Sequence, residues 1–386
     1  MRRGTKIQKL KQALPGIVKD VRHYAKPRVK LHNEGLGDYY TEGYRSLNQR
    51  EWKGVRDTAY DFASWLKVYG YMAVTLGKHP VALTKSFVRY PWMASYLTVA
   101  NMLDRHKLGL RGKQLRYTQE QFYGVVHNSV DVIAKIIERD ENLNSPNNKR
   151  AAKLRAKTVM FDEMTPSIIM AGFPMLDWID IAMSPVCLPG EVDQNANIMY
   201  VDAAERMGLA ADVCPLPSAE VGCAIVDDYP QVGSSFITSS MPCDGSLGAA
   251  LFMDRYMKKL PSFTLTPPQR FNEPETNAYA VKDLKNCIRF IEETYHVKWD
   301  WDAFWEKAEE YNKTTQCMLD KWDVNCTPYP QVIGSALSLQ REYEFQTAAC
   351  LDPFMTKQDE KVTKMMLKGY EKDREADRRD YKYRAK

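Results

Sequence analysis

The chain has 386 residues, 44% of them apolar and 27% charged, with a formal net charge of +5. That is the composition of an ordinary soluble globular protein, long enough for two or more domains with their own cores. No stretch approaches about 18 uninterrupted apolar residues, and the basic start Met1-Arg2-Arg3-Gly4 leads into no apolar run, which excludes a transmembrane helix and a secretory signal and points to the cytoplasm.

Residues 1–30 hold ten Lys or Arg against one acid, Asp20. Such an arm would suit nucleic acid or an acidic membrane surface, but aromatics do not interleave it as single-strand binders require. A solvated terminus or a docking arm is the plainer reading. Further on, apolar residues recur at Tyr60, Ala63, Trp65, Leu66, Tyr69, Met72 and Leu76, a helical stripe ended by Gly77 and Pro80. A second helix is predicted from about Thr118 to Arg139. Trp65 and Trp92 read as core aromatics. The polar stretch Asn142–Arg150, with Pro146, reads as a linker closing a helical region at 1–150.

Residues 151–275 change character. Thr158–Phe161 is β-prone and is followed by a helix start at Thr165-Pro166, with Thr165 placed as its N-cap. The short helix ends at Gly172, and Met175–Ile179 is a second strand candidate. Ser234–Ser239 reads as a strand, Leu247–Met257 as a helix and Pro261–Leu265 as a further strand. Strands alternating with helices at this spacing predict an α/β fold, an open parallel Rossmann-like sheet flanked by helices. Residues 276–386 return to helix, one segment carrying Val281, Leu284, Ile288 and Ile291, the next capped near Asp300 or Asp302. The mixed-sign run from Lys357 onward reads as a solvated helical face with i,i+4 pairs.

Chemistry in such a sheet collects where strands end and helices begin. Eight cysteines without any C-x-x-C pair read as thiols, ligands or core residues, not as disulfides or a structural zinc site. Cys243 lies in Met-Pro-Cys-Asp-Gly directly after a predicted strand, where a nearby helix N-terminus favours thiolate. Cys214 lies in a proline-bounded loop entering a helix, 29 residues earlier. The two can meet over one sheet edge as a shared metal or cluster site, or stand as half-buried free thiols. Cys187, in a Ser-Pro-Val-Cys-Leu-Pro loop, is a reserve ligand, while Cys223, Cys287 and Cys317 read as core. Asp162 and Glu163 either position a substrate or complement a helix dipole, and Ser239-Ser240 could donate to a ligand or serve as turn residues. His79, His127 and His296 fall in helical regions without a paired carboxylate or Ser, so no hydrolytic triad is formed, and neither G-x-G-x-x-G nor a Walker A sequence is present.

The order of these pieces resembles the 2-hydroxyacyl-CoA dehydratase and benzoyl-CoA reductase family. The likeness runs through a short strand with a Thr-Pro start and an Ala-Gly-x-x-Pro ending (Thr158 to Pro174), Cys214 at a helix start, Cys243-Asp244 after a strand, Thr264–Pro268, and Tyr311-Asn312. It implies that Cys214 and Cys243 ligate a [4Fe–4S] cluster. It further implies a lyase that eliminates water from a 2-hydroxyacyl-CoA through a ketyl radical, after one-electron activation by an ATP-dependent activator protein. An aromatic acyl-CoA reductase subunit, or a non-catalytic structural subunit, is the alternative. Glu163, Thr165 and Ser240 would then face the acyl-CoA substrate. The family's third ligand cysteine belongs to a second α/β domain, so here it would come from Cys187, from a missing part, or from a second dehydratase subunit. No membrane or nucleic-acid partner is expected.

Overall fold

A computed structural model of the chain describes residues 54–103, 112–162, 165–192, 196–240, 245–250, 260–268 and 273–379. The basic arm therefore lies outside the described residues, as do Glu163, Cys243 and Asp244. Two helices open the described part, α1 (Gly54–Leu76) and α2 (Pro80–Arg89), then a 3₁₀ segment (Pro91–Leu103) and the long α3 (Gly112–Arg139). After α4 (Lys149–Arg155) come β1 (Thr158–Phe161), α5 (Ile168–Ala171) and β2 (Asp177–Asp180). A π-helical turn (Met183–Cys187) leads into α6 (Leu188–Val192), α7 (Ile198–Arg206) and α8 (Pro215–Ile225). Next are β3 (Ser235–Ser239) and β4 (Ser262–Leu265). The helices α9 (Pro274–Tyr295), α10 (Trp301–Asn325), α11 (Gly334–Gln346) and α12 (Pro353–Arg379) complete the order, with a 3₁₀ turn (Ala349–Leu351) between the last two.

The sheet has four strands in the order β2-β1-β3-β4, all parallel. The expected open α/β sheet is what forms. Register puts Phe161 beside Asp180 and Ile237, and Ser239 beside Leu265, so all four strands end at one edge. Side chains alternate between the two faces, as a pleated strand requires. Met160, Ile179 and Phe236 point into a core shared with Val68, Met72, Phe122, Ile133 and Ile137 of α1 and α3. Val159, Phe161 and Ile237 point the other way, into a core with Cys287 and Ile291 of α9 and with Trp299. Helices α1, α3, α7 and α8 thus cover one face, with α11 and α12 packed on α3, while α9 and Trp299 cover the other.

Local details follow from residue chemistry. Asp300 caps α10, its carboxylate accepting from the N–H groups of Asp302 and Ala303 at 3.0 Å each. The polar stretch read as a linker is tied down: Asn144 donates its amide to the carbonyls of Ile137 and Asp140, and Asn148 caps α4 through Ala151 N. Trp92 is buried as expected, but Trp65 is only half-buried, stacked on Phe62. Ser167, not Thr165, occupies the N-cap position of α5. Gly172 closes that helix at a position where a methyl group would overlap the Trp299 ring, and its carbonyl accepts from Asp300 N at 2.9 Å. In α12 the mixed charges form a Lys364–Glu360 pair and an Arg374–Glu371 pair, yet Met355, Asp359, Val362 and Met366 are buried, so only part of the run is a solvated face. No described helix is long and apolar enough to cross a membrane.

Candidate functional site

The carboxyl edge of the sheet is held by two buried carboxylates. Asp162, just past β1, accepts hydrogen bonds from Thr165 Oγ1 at 3.3 Å and from Thr238 Oγ1, while its N–H donates to Ile237 O at 3.2 Å. The loop after β1 is thereby fastened to β3. Thr165 is fully buried and its hydroxyl is committed to this contact. Asp180, the last residue of β2, accepts from the N–H groups of Ala182, Met183 and Ser184 at 2.9, 2.8 and 2.6 Å. Burial pushes its carboxyl above the usual carboxylate range, against the pull of those three donors. At the end of β3, Ser240 donates its N–H to Leu265 O at 2.8 Å, and its hydroxyl makes no hydrogen bond among the described residues.

Cys214 sits at the N-cap of α8, with Pro215 as the first helical residue. Its carbonyl accepts from Ser218 Oγ at 2.9 Å, and its thiol is exposed. Pro215 and Pro217 carry no N–H and Ser218 N donates to the Cys214 carbonyl, so the accessible sulfur stands at a helix start with few free donors. One and a half turns on, Glu220 and Cys223 are buried. Cys187 lies not in a loop but at the end of the π-helical turn, where both Val186 N and Cys187 N donate to Ala182 O. Pro185 has no N–H to continue a regular helix, and the wide turn takes up the difference. The Cys187 thiol, 3% exposed, donates to Glu220 Oε1 at 3.8 Å. The Tyr229 hydroxyl, buried and without a hydrogen-bond partner among the described residues, shares this layer; burial and then Glu220, Cys223, Cys187 and Asp162 push it well above its ordinary value.

Cys223 and Cys287 are buried as expected, whereas Cys317, also read as core, is only half-buried. Burial holds Cys287 up at about 12 and Cys350 at about 11. Cys326 is exposed at the end of α10. One histidine departs from expectation: His127 Nδ1 lies 3.6 Å from Asp131 Oδ2, and its ring is sandwiched between Tyr71 and Phe354. The pair is one helical turn apart on α3, a spacing the sequence displays. Its stacked burial makes it a packing element, and no serine completes a triad. Among the described residues no three His, Cys, Asp or Glu side chains converge in a way that could hold a metal ion. A separate cleft of about 790 Å³ opens between α3, β2 and the start of α10, lined by Lys135, Phe173, Trp178 and Lys307 among others.

Asp180, Glu220 and Tyr229 are the edge residues that sequence reasoning missed. For Asp180 a signal existed, an acid closing a strand four residues before Ser184-Pro185, the pattern of a side chain that caps a turn. For Glu220 and Tyr229 none did, since their positions depend on how α8 packs.

The parallel sheet and the cysteine at a helix entry define an open α/β fold with a thiol exposed at a helix start. Residues 192–380 match the family described as 2-hydroxyglutaryl-CoA dehydratase, D-component. That segment, just under half of the chain, is thus similar to the 2-hydroxyacyl-CoA dehydratase family. The matched segment contains Cys214, Cys243-Asp244, Thr264–Pro268 and Tyr311-Asn312, and it begins after the Thr158–Pro174 motif. A D-component implies partner subunits. No curated protein matches the chain.

Proposed function

We propose that the chain is the iron–sulfur subunit of a 2-hydroxyacyl-CoA dehydratase, a cytoplasmic hydro-lyase that works through a ketyl radical of its acyl-CoA substrate. In this reading Cys214 and Cys243 hold a [4Fe–4S] cluster, and a second dehydratase subunit and an ATP-dependent activator protein are its partners. The observation that carries the reading is Cys214, an accessible thiol at a helix N-terminus inside the matched segment. When bound, the cluster supplies one-electron chemistry and an iron open to a substrate oxygen. Cys187 fits that role poorly, because its sulfur is packed against Glu220 Oε1 and a thiolate there would meet like charge. The third ligand then comes from elsewhere, the second subunit being the plainest source.

The chain's own residues shape the place. Asp162, next to Glu163 in sequence, holds Thr165 and Thr238. Thr165 acts on substrate through the loop after β1, while the Ser240 hydroxyl is free to meet the thioester. Anaerobic purification with iron and sulfide analysis tests the assignment. Cys214→Ala should lose the brown chromophore and most of the iron, and Cys287→Ala should keep both. A colourless protein after anaerobic reconstitution would leave a structural subunit instead, and ring reduction in place of water loss would make it an aromatic acyl-CoA reductase.

A further inference from the structure

The last three helices enclose a group of ionisable side chains away from the sheet edge. Lys321 of α10, Glu344 of α11 and Asp359 of α12 are each fully buried. Lys321 Nζ donates to Asp359 Oδ1 at 2.6 Å and to Gln340 Oε1 at 3.3 Å. The Gln340 amide nitrogen donates to Glu344 Oε1 at 2.5 Å and also to Asp359 Oδ1. Glu344 Oε2 and Asp359 Oδ2 are left with no donor. The nearest cation to the former is Arg341 Nη1, 4.0 Å away and itself without a hydrogen bond.

Two neighbouring buried carboxylates with one lysine between them repel, and each orphaned oxygen carries an unmet desolvation cost. A single proton on the pair removes both problems, because a protonated carboxyl becomes an O–H donor to the other. We propose that Glu344 and Asp359 form a proton-binding site whose occupancy holds the C-terminal helices against the sheet layer. The charged and titratable groups facing it are Lys321 and Cys317 from α10, Arg341 on α11, Asp359 and Glu360 from α12, and Cys350 in the 3₁₀ turn. From α3, Asn128 and Ser129 approach this layer through Tyr343, and Glu120 meets Gln358 and Lys361 beside Asp359 on α12.

The site is wired to the sheet in two directions. Tyr343, adjacent in sequence, shares hydrogen bonds with Ser129 at 2.7 Å, Asn128 at 3.0 Å and Ser184 at 3.4 Å. Six residues beyond Glu344, Cys350 Sγ lies 3.3 Å from Ser167 Oγ at the start of α5. Burial first, and then Asp359, push the Glu344 carboxyl from 4.5 up to about 8. The folded protein therefore keeps a proton that the unfolded chain has already lost. Its contribution to stability is full below the unfolded value near 4.5 and is lost as pH rises through about 8.

Thermal unfolding of the full chain between about pH 6 and pH 9 tests this. The unsubstituted protein should lose at least about 3 °C in Tm relative to Glu344→Gln over that range. At alkaline pH, amide exchange over residues 343–351 should be faster in the parent than in the variant. Parallel Tm curves with equal exchange would overturn the proposal. Should the variant fail to fold, infrared difference spectra of the parent decide: a protonated-carboxyl C=O band lost at alkaline pH supports the site, and its absence sinks it.

Discussion

Two buried polar sets, one at the sheet edge and one among the C-terminal helices, satisfy their carboxylates in opposite ways. At the edge the donors are neutral: three backbone N–H groups on Asp180, two threonine hydroxyls on Asp162. Among the helices the donors are a lysine and one shared glutamine amide, and two carboxylate oxygens go without. A carboxylate with several neutral donors loses a fraction of its support when one is removed. A carboxylate that depends on one buried cation loses nearly all of it.

Lys321→Met should therefore be the most damaging change, lowering unfolding free energy by about 3–5 kcal/mol as Asp359 is left buried without its cation. Urea denaturation measures it, and a loss under about 1 kcal/mol would mean that Asp359 takes up a proton instead. Gly172→Ala acts on the joint between the two regions; displacing the Trp299 ring should cost about 2 kcal/mol and red-shift tryptophan emission. Asp162→Ala strands two buried hydroxyls and should cost about 2 kcal/mol, less than Lys321→Met, in the same titration. Thr165→Val removes one of the donors to Asp162 and should cost about 1 kcal/mol, with that carboxylate still held by Thr238. If the last two changes cost as much as the first, the contrast between neutral and charged support fails.

The strands were legible because each is a short β-prone run, β3 and β4 closed by Ser240 and Pro267, and all four lie within two residues of where the pattern put them. The cap at Asp300 and the helix entry at Cys214 were legible for the same local reasons. What the sequence hid is non-local. Cys187 looked like a loop residue because two prolines flank it, yet Pro185 is absorbed by a π-helical turn. Thr165 looked like an N-cap, but Asp162 and Thr238, from two strands, claim the hydroxyl instead. Asp359 lay in a run read as a solvated face and nothing local marked Lys321 or Glu344, since only the packing of three helices buries the group. Glu163 and Cys243 lie outside the described residues, so the pairing of Cys243 with Cys214 rests on the family likeness.

The contact between Gly172 and Trp299 has a consequence for how the chain assembles. The residues that seal the outer face of β1 and β2 arrive more than a hundred positions after those strands, so Phe173 and Trp178 wait uncovered during synthesis. Closing that gap is a long-range event, slow by its loop entropy and open to association while it lasts. The region from Pro274 onward thus serves as the fold's final closure, and a nascent chain that stalls before Trp299 is the species a chaperone would meet.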